Sequence, residues 1–370
     1  MNNILMVFGG NSVEHEISIV TSLQILNKYK GKYNLLLCYL KDGDFYYVKN
    51  NVTIKDFERI KHNKKFKKIS FKANKNYFFA NLKKIEFEGI LITAHGMNCE
   101  DGLLYSYFKT LNLNIISENL YSASIGQDKC FSKIISKANS VPFMKINHYL
   151  FCNNLKEIIE FTNKHSFPLI IKPNKLGSSI GVCIISNIEE LIDKIEEQLN
   201  VCDSLIIEKK VESFEEYNIA LLKYNNSLIV SEIEKVSSNK VLTYDDKYKN
   251  DKKSMVGQNR QLPAIINKKL KNELISMAKD IYINLEAQGI VRIDFIYDTD
   301  NKSLYFNEIN NVPGSLSTYL FEKANIQTND LIDMYIDEGL KNLYKEKKLI
   351  TSYEKNILND STFYSVKFNK

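Results

Sequence analysis

Residues 290–314 read IVRIDFIYDTDNKSLYFNEINNVPG, and this stretch decides the fold of the C-terminal part of the chain. Two apolar runs rich in Ile, Val, Tyr and Phe flank the polar sequence DTDNKS, which predicts an antiparallel β-hairpin. Side chains alternate between the two faces of a strand, so Arg292 and Asp294 share one face of the first strand. Glu308 and Asn310 share one face of the second strand for the same reason. If the two faces coincide, these polar groups converge at one place.

The hairpin alone leaves two interpretations open. Two carboxylates and a carboxamide form an all-oxygen set that suits Mg²⁺, which takes one or two protein carboxylates and completes its octahedron with water and phosphate oxygens. A guanidinium beside them would complement a phosphate or an oxyanion. The alternative is a solvated outer face on which the charges form cross-strand ion pairs. The rest of the chain must decide between the two.

Composition indicates a globular protein with a sizeable core. The chain has 370 residues with 44% hydrophobic content, which predicts two or three domains. The net charge of +6 comes from scattered lysines, so no nucleic-acid partner is expected. The six cysteines show no CxxC pair, which favours reduced thiols. We find no signal peptide and no apolar run of about 18 residues, and therefore expect a cytoplasmic protein without a membrane partner.

The N-terminal part predicts a small α/β domain. The sequence NILMVFGGNSVEHEISIVTSLQILNKY is typical of a buried strand, a Gly-Gly turn and an amphipathic helix, and the strands YNLLLCYL and GILITAH follow it. We expect a parallel sheet with binding loops at the carboxyl ends of its strands. Non-functional interpretations exist for both polar loops. Asn11 and Glu14 have the spacing of a capping box at a helix N-terminus. The alternative for His95 is a structural role, which is the commoner role of a histidine.

The segment PLIIKPNKLGSSIGV, residues 168–182, is the most informative. Lys172 ends a predicted strand, and Gly177, Ser178 and Ser179 follow in a loop whose backbone N–H groups can bind a polyphosphate. The segment does not match the Walker pattern, but a strand, loop and returning strand resemble a glycine-rich flap over nucleotide phosphates. The alternative is an ordinary hairpin turn.

Downstream, LIIEKKV and EEYNIALLKY predict two strands, and KKLKNELISMAKDIYINL predicts a helix. The long polar segment between them has no periodicity, which is typical of a functional lid or of disorder.

Taken together and in order, FGGNSVEHEIS, HGMNCEDG, IIKPNKLGSSIGV, YDDKY, VRIDF and NEINNVPG resemble the D-alanine–D-alanine ligase family of the ATP-grasp superfamily, over roughly residues 4–340. The resemblance implies an α/β fold, α+β in its ATP-binding part, with ATP held between two antiparallel sheets. The implied domains are an N-terminal substrate domain at 1–125, a central domain at 126–213 and a C-terminal domain at 214–345. Residues 346–370 form a tail without an assigned role.

The resemblance also implies site residues. It implies ATP contacts at Lys129, Lys172, Gly177, Ser178, Ser179, Glu208 near the adenine, Glu216 near the ribose, and Lys247. It implies metal ligands at Asp294, Glu308 and Asn310, which would hold two Mg²⁺ ions, with Mn²⁺ as an alternative. It implies substrate and catalytic roles for Glu14, His95, Ser178, Tyr248, Arg292, Gly314 and Ser315. Residues 236–262 would form a lid that protects an acyl phosphate from water.

The implied activity is the ligation of two D-alanine molecules for peptidoglycan, in a protein that forms a homodimer. This sequence departs from the family's pattern at two positions that matter for the activity. Cys99 stands where the family's HGxxGEDG has glycine. Tyr319 stands where the family commonly has a serine that binds the carboxylate of the second substrate. Tyr248 favours an amine nucleophile over D-lactate. The alternatives are a related ligase that takes D-serine or another amino acid second, and a non-catalytic ATP-binding module.

Overall fold

The computed structural model describes residues 2–138, 149–152, 155–237 and 259–350. Within these ranges the strands form three larger sheets and one two-stranded sheet. The three larger sheets follow one another along the chain, and each packs against helices. No helix in this described part is both long and apolar enough to cross a bilayer.

The N-terminal sheet contains an interior strand that is buried at every residue except its first. Its strands are β1 (Asn3–Gly9), β2 (Asn34–Lys41), β3 (Asp44–Val48), β4 (Phe66–Ile69) and β7 (Gly89–Ile92), in the order β4-β3-β2-β1-β7, while β5 (Tyr77–Ala80) and β6 (Lys83–Glu86) form a separate hairpin. The helices of this part are α1 (His15–Lys28), α2 (Leu103–Thr110) and a 3₁₀ segment at Ile54–His62. β1 pairs in parallel with β2 and β7. Its apolar run fits a strand that is covered on both faces.

The expectation of a parallel sheet is correct for the centre and wrong for one edge, where β3 and β4 are antiparallel. β2 and β3 are joined by Asp42 and Gly43, whose φ angles are 51° and 80°. An Asp-Gly pair with two positive φ angles is the preferred two-residue turn of a hairpin, because its twist matches that of the strands. The dipeptide in LKDGDF therefore carried a hairpin signal that the sequence analysis missed.

The central sheet is antiparallel throughout its described strands. They are β8 (Tyr149–Cys152), β9 (Leu169–Pro173), β10 (Cys183–Ile185) and β11 (Leu205–Lys209), in the order β10-β9-β11-β8. The helices of this region are α3 (Leu120–Gln127), α4 (Lys129–Ala138), α5 (Leu155–His165) and α6 (Ile188–Gln198). Leu169, Ile171 and Ile207 are buried in a core with α5 and α6. Alternation along the strands then directs Lys172 and Glu208 to the opposite face.

The C-terminal sheet is also antiparallel and contains the predicted hairpin. Its strands are β12 (Phe214–Tyr224), β13 (Ser227–Val230), β14 (Glu234–Ser237), β15 (Asn259–Gln261), β16 (Val291–Asp298) and β17 (Ser303–Asn310), in the order β15-β14-β12-β16-β17 with β13 beside β12. The helices are α7 (Lys268–Asn284), α8 (Thr318–Lys323) and α9 (Thr328–Glu346), with a 3₁₀ turn at Gly314–Ser317. The predicted lid at 236–262 lies outside the described residues except for its ends, which belong to β14 and β15. The tail from 351 onwards also lies outside them.

A buried carboxyl ties the N-terminal part to the C-terminal sheet. Glu118 is 5% exposed and accepts backbone hydrogen bonds from Asn119 (2.9 Å), Gln288 (2.8 Å) and Gly289 (3.0 Å). Burial raises the pKa of Glu118 to about 7, although the three N–H groups act in the opposite direction. The loop that precedes β16 is therefore held by a carboxyl that ionises near neutral pH.

Replacing Glu118 with Gln should flatten the pH dependence of stability. Because the pKa of this carboxyl is raised on folding, its contribution to stability declines as the pH rises from about 4.5 to 7. We expect the free energy of unfolding of the natural chain to fall by about 3 kcal/mol relative to Glu118→Gln across this range. Urea unfolding at pH 5 and pH 8 measures it, with the exposed Glu58→Gln as control. Parallel pH profiles for the natural chain and Glu118→Gln would contradict the assignment.

Candidate active site

A cleft of about 320 Å³ lies between the central and C-terminal sheets and reaches the N-terminal part. It is lined by nearly all the predicted site residues that the structure describes: Glu14, His95, Lys129, Lys172, Gly177, Ser178, Ser179, Glu208, Glu216, Arg292, Asp294, Glu308, Asn310 and Gly314. Ser315 lies beside the cleft rather than on its wall. Lys247 and Tyr248 lie outside the described residues. The residues that were singled out along the sequence are thus brought together in one place.

The hairpin of β16 and β17 presents its polar groups to this cleft. Arg292 pairs with Asn310 and Asp294 pairs with Glu308 across the two strands. Arg292 donates two hydrogen bonds of 2.7 Å to the Asp294 carboxylate, and the Asn310 amide nitrogen donates a third of 3.1 Å. The two polar faces therefore coincide, and the interpretation as a solvated outer face is wrong.

The donor set of the hairpin fits Mg²⁺. In the described part of the chain, the hairpin included, no three His, Cys, Asp or Glu side chains are grouped as metal ligands, and the set here is two carboxylates and a carboxamide. Here two carboxylates stand opposite each other, and Asn310 uses its nitrogen toward Asp294, which leaves its oxygen as the coordinating atom. Mg²⁺ takes few protein carboxylates and fills its remaining positions with phosphate oxygens and water, as a nucleotide cleft supplies.

Two lysines and a glutamate form the floor of the cleft. Lys172 Nζ lies 2.6 Å from Glu208 Oε2, and Lys129 Nζ donates to the Leu176 carbonyl at 2.7 Å and lies 3.5 Å from Glu308 Oε2. Burial raises the pKa of Glu208, but the ammonium groups around it outweigh burial and hold the pKa at about 2. Glu208 is thus a fixed anion that keeps Lys172 in place.

Lys133 also contacts Glu208, at 3.2 Å, and the sequence analysis missed it. It lies one helical turn after Lys129, so both lysines of DKCFSK project from the same face of α4. Burial lowers the pKa of Lys133 to about 8, against the opposing effect of Glu208. The spacing of four residues was the signal that could have revealed it.

The glycine-containing loop after β9 reaches across to the N-terminal part. Ser178 Oγ donates a 2.5 Å hydrogen bond to Glu14 Oε1, and Ser178 and Ser179 have φ angles of 55° and 58°. A Cβ on Gly177 would lie 2.6 Å from Glu14 Oε2. Glycine at position 177 therefore permits the close approach of loop and carboxylate.

Glu14 is a cleft residue, and the capping-box interpretation of Asn11 and Glu14 is wrong. The Asn11 side chain accepts from the backbone of Asp42, and Ser12 Oγ accepts from the Glu14 N–H. Burial and the nearby Glu100 raise the pKa of Glu14. Two neighbouring carboxyl groups in a buried site complement an incoming cation, such as a substrate ammonium group.

His95 is buried, and one of its ring nitrogens is hydrogen-bonded. Its Nε2 lies 2.9 Å from Thr21 Oγ1, and its Nδ1 lies 3.6 Å from Glu100 Oε2. The same Thr21 oxygen accepts a hydrogen bond of 3.2 Å from the Ser315 N–H. Ser315 is therefore linked to His95 through Thr21, although it does not line the cleft.

The two departures from the family's pattern have different structural consequences. Cys99 is buried beside Gly10, and the positive φ angles of its turn belong to Gly96 and Asn98, so a glycine is not required at position 99. Tyr319 lies near Arg292, and its hydroxyl donates to Glu234 Oε2 at 2.9 Å.

Glu234 is 1% exposed and lies 3.3 Å from the guanidinium of Arg260, which lines the cleft. Tyr319, Glu234 and Arg260 thus form a polar group at the Arg292 end of the cleft.

The comparisons with known proteins agree with this architecture. The family model "D-ala D-ala ligase N-terminus" matches residues 3–117, and "D-ala D-ala ligase C-terminus" matches residues 136–337. The D-alanine–D-alanine ligase of Thermosipho africanus is 36% identical over 96% of this chain and 98% of its own length.

Two solved structures share the fold. The D-alanine–D-alanine ligase of Coxiella burnetii matches with a TM-score of 0.81 at 20% identity, over 100% of this chain and 99% of its own. The VanG D-Ala:D-Ser ligase of Enterococcus faecalis matches with a TM-score of 0.77 at 21% identity, over 91% and 99%.

Replacing Gly177 with Ala should loosen the loop from Glu14. The added Cβ displaces the carboxylate that Ser178 holds, and loss of this charge-assisted hydrogen bond should increase amide hydrogen exchange in residues 174–182 about tenfold. Gly314→Ala is the matched control, since a Cβ there meets no described atom within 4 Å. Hydrogen exchange followed by mass spectrometry measures both variants. Equal protection in the two variants would show that the close approach does not hold the loop.

Proposed function

Because the chain belongs to the D-alanine–D-alanine ligase family, we propose that its cleft catalyses the ATP-dependent ligation of two D-alanine molecules. The products are D-alanyl-D-alanine, ADP and phosphate, and the dipeptide serves peptidoglycan synthesis. The observation that carries this proposal is the pairing of Arg292 with Asn310 and of Asp294 with Glu308 on the face that lines the cleft. A cytoplasmic location agrees with family membership, and the homodimer stays a prediction.

The first half of the reaction uses the sheet-to-sheet cleft. Lys129, Lys172 and the loop at 177–179 bind the phosphates of ATP, with Glu208 and Glu216 on the nucleoside side. Asp294, Glu308 and Asn310 would hold Mg²⁺, which neutralises charge on the phosphoryl group as it transfers. A carboxylate oxygen of the first D-alanine attacks the γ-phosphorus, the bond to ADP breaks, and an acyl phosphate forms. Close positioning and charge neutralisation are what this step requires.

Glu14 and Glu100 orient the first D-alanine through its ammonium group. Glu14 is already bonded to Ser178 of the loop, so the same carboxylate connects the first substrate to the glycine-rich segment. The Gly96 N–H donates to Glu100 Oε2 at 2.8 Å and keeps this carboxylate in position beside His95. The loop thereby covers the phosphate end of the cleft and excludes water, which would otherwise hydrolyse the acyl phosphate.

The second half of the reaction takes place at the Arg292 end. The uncharged amine of the second D-alanine attacks the acyl carbon, the acyl C–O bond to phosphate breaks, and the departing phosphate takes up the proton that the nitrogen releases. Arg292 and the backbone N–H of Gly314 stabilise the oxyanion that develops. Arg292 is kept in position by its two hydrogen bonds to Asp294, so the metal ligand and the oxyanion group are arranged by one ion pair. A module that only binds ATP would have no use for this arrangement.

The proposal is tested by Mg²⁺- and ATP-dependent phosphate release with D-alanine alone, compared with L-alanine, D-serine and D-lactate. Mass spectrometry identifies the products. D-Alanyl-D-alanine from D-alanine alone supports the proposal. Turnover only when a second, different amino acid is present would indicate a related ligase, and no phosphate release with any substrate would favour the non-catalytic module.

Asp294→Asn should lower kcat at least about 100-fold. The substitution keeps the shape of the side chain but removes a carboxylate ligand and the charge partner of Arg292, and both act on the transition state. The control is Asp300→Asn, an exposed carboxylate in the turn of the same hairpin. Circular dichroism and thermal unfolding check the fold. A folded Asp294→Asn variant with more than a tenth of natural kcat would refute the metal assignment.

Tyr319 bears on the binding of the second substrate. Tyr319 lies near Arg292, and its hydroxyl, whose single proton is donated to Glu234 in this structure, would turn from Glu234 to donate to the second substrate's carboxylate. Tyr319→Phe should raise the KM for the second D-alanine roughly tenfold, which corresponds to one hydrogen bond to a charged group, and leave the KM for ATP unchanged. Initial rates with both substrates varied measure this. An unchanged KM for D-alanine would show that Tyr319 has no part in holding it.

A further inference from the structure

The strand β17 carries an extra residue at the point where it faces the cleft. Asp294 pairs with Glu308, but the next residue, Phe295, pairs with Phe306, so Asn307 has no partner across the hairpin. This arrangement is a β-bulge, in which two residues of one strand stand opposite one residue of the other.

The bulge determines where the metal-binding side chains point. Phe306 and Ile309 are both in the core, at 1% and 5% exposed. In a regular strand the residues between them would alternate, and Glu308 would point into the core on the Phe306 side. With Asn307 as the extra residue, Asn307 and Glu308 both line the cleft, and Asn310 follows on the same face.

One buried ammonium group contacts the bulge. Lys133 is 1% exposed, and its Nζ donates to the Asn307 carbonyl at 2.6 Å and to the Phe306 carbonyl at 3.3 Å. A bulge disrupts the local ladder, and buried carbonyl groups require a donor. Lys133 supplies a charged donor to two consecutive carbonyls at the bulge.

The charge of Lys133 is compensated within the same network. Glu208 lies 3.2 Å from Lys133 and 2.6 Å from Lys172, and Lys172 donates to the Asn307 side chain at 3.2 Å. Asn307 is therefore held through its main-chain oxygen by one lysine and through its side-chain oxygen by another.

We propose that Lys133 is a positioning residue, whose ammonium group stabilises the bulge at Asn307 and so keeps Glu308 and Asn310 turned toward the cleft. The inference about metal binding rests on the proposed function, whereas the structural role of Lys133 in the bulge does not. Lys133 itself contacts no reacting atom. It acts through the backbone of β17.

The test is Mn²⁺ binding in the presence of ADP without turnover, measured by electron paramagnetic resonance on the full chain. Lys133→Met keeps the unbranched apolar part of the side chain and removes its charge and donors. We expect at least roughly tenfold weaker Mn²⁺ binding, as for other groups that orient metal ligands. Lys133→Arg should restore much of the affinity. Amide hydrogen exchange in residues 303–310 should rise in Lys133→Met.

Two controls separate this role from a general loss of stability. Lys194→Met, at a half-buried lysine of α6 that pairs with Glu197 and does not line the cleft, should bind Mn²⁺ like the natural chain. Asn307→Ala removes the contact with Lys172 but keeps the carbonyl that Lys133 holds, so its Mn²⁺ affinity should change less than about threefold. A Lys133→Met variant with natural Mn²⁺ affinity and natural exchange in 303–310 would overturn the proposal. An equal loss in Asn307→Ala would overturn it as well.

If Lys133→Met does not fold, Lys133→Gln, which keeps an amide donor, takes its place with the same criteria. The outcome is distinguishable from a failure of the proposed function. Absence of dipeptide synthesis by the natural chain, with Mn²⁺ binding intact and dependent on Lys133, would refute the ligase activity alone.

Discussion

The pairing of β16 with β17 is the constraint on which the site depends. It sets Arg292, Asp294, Glu308 and Asn310 on one face through the pairing of the two backbones and the bulge at Asn307, which Lys133 contacts. Because cross-strand neighbours are about 5 Å apart, this register places two carboxylates within reach of a single ion. A shift of register by one residue would turn the set toward the core.

In the floor of the cleft, buried side chains of opposite charge neutralise one another. Lys133 and Lys172 are both buried against Glu208, and removing one partner of such a group costs about 3–5 kcal/mol, because the remaining charges stay buried without compensation. The arrangement is therefore poor as a source of stability. It holds Lys172 in the cleft, where we propose that the phosphates bind, and holds Lys133 against the bulge of β17.

The sequence predicted the parts of the site that follow from local periodicity. The polar faces of the hairpin and the loop after β9 were recognisable because alternation and turn chemistry act over a few residues. The bulge at Asn307 was not recognised, although Phe306 and Ile309 stand three residues apart and so break the period of two.

Contacts between distant segments could not be predicted at all. Glu118 with Gly289, and Tyr319 with Glu234, join positions whose proximity depends on how the sheets pack. The resemblance to a known family brought the motifs together, but it gave no account of the groups that hold them.

Thr21, a residue of α1, contacts two separate parts of the site. Its single oxygen receives the N–H of Ser315 and bonds to the ring of His95. A hydroxyl has one proton and two lone pairs, so it can accept from the backbone and still match either protonation state of the imidazole. Valine has the same shape and would leave both neighbours without that partner. In α1, position 21 is thus a place where an isosteric exchange is a chemical change, because this one side chain connects the backbone of the turn at Gly314–Ser317 to the ring of His95.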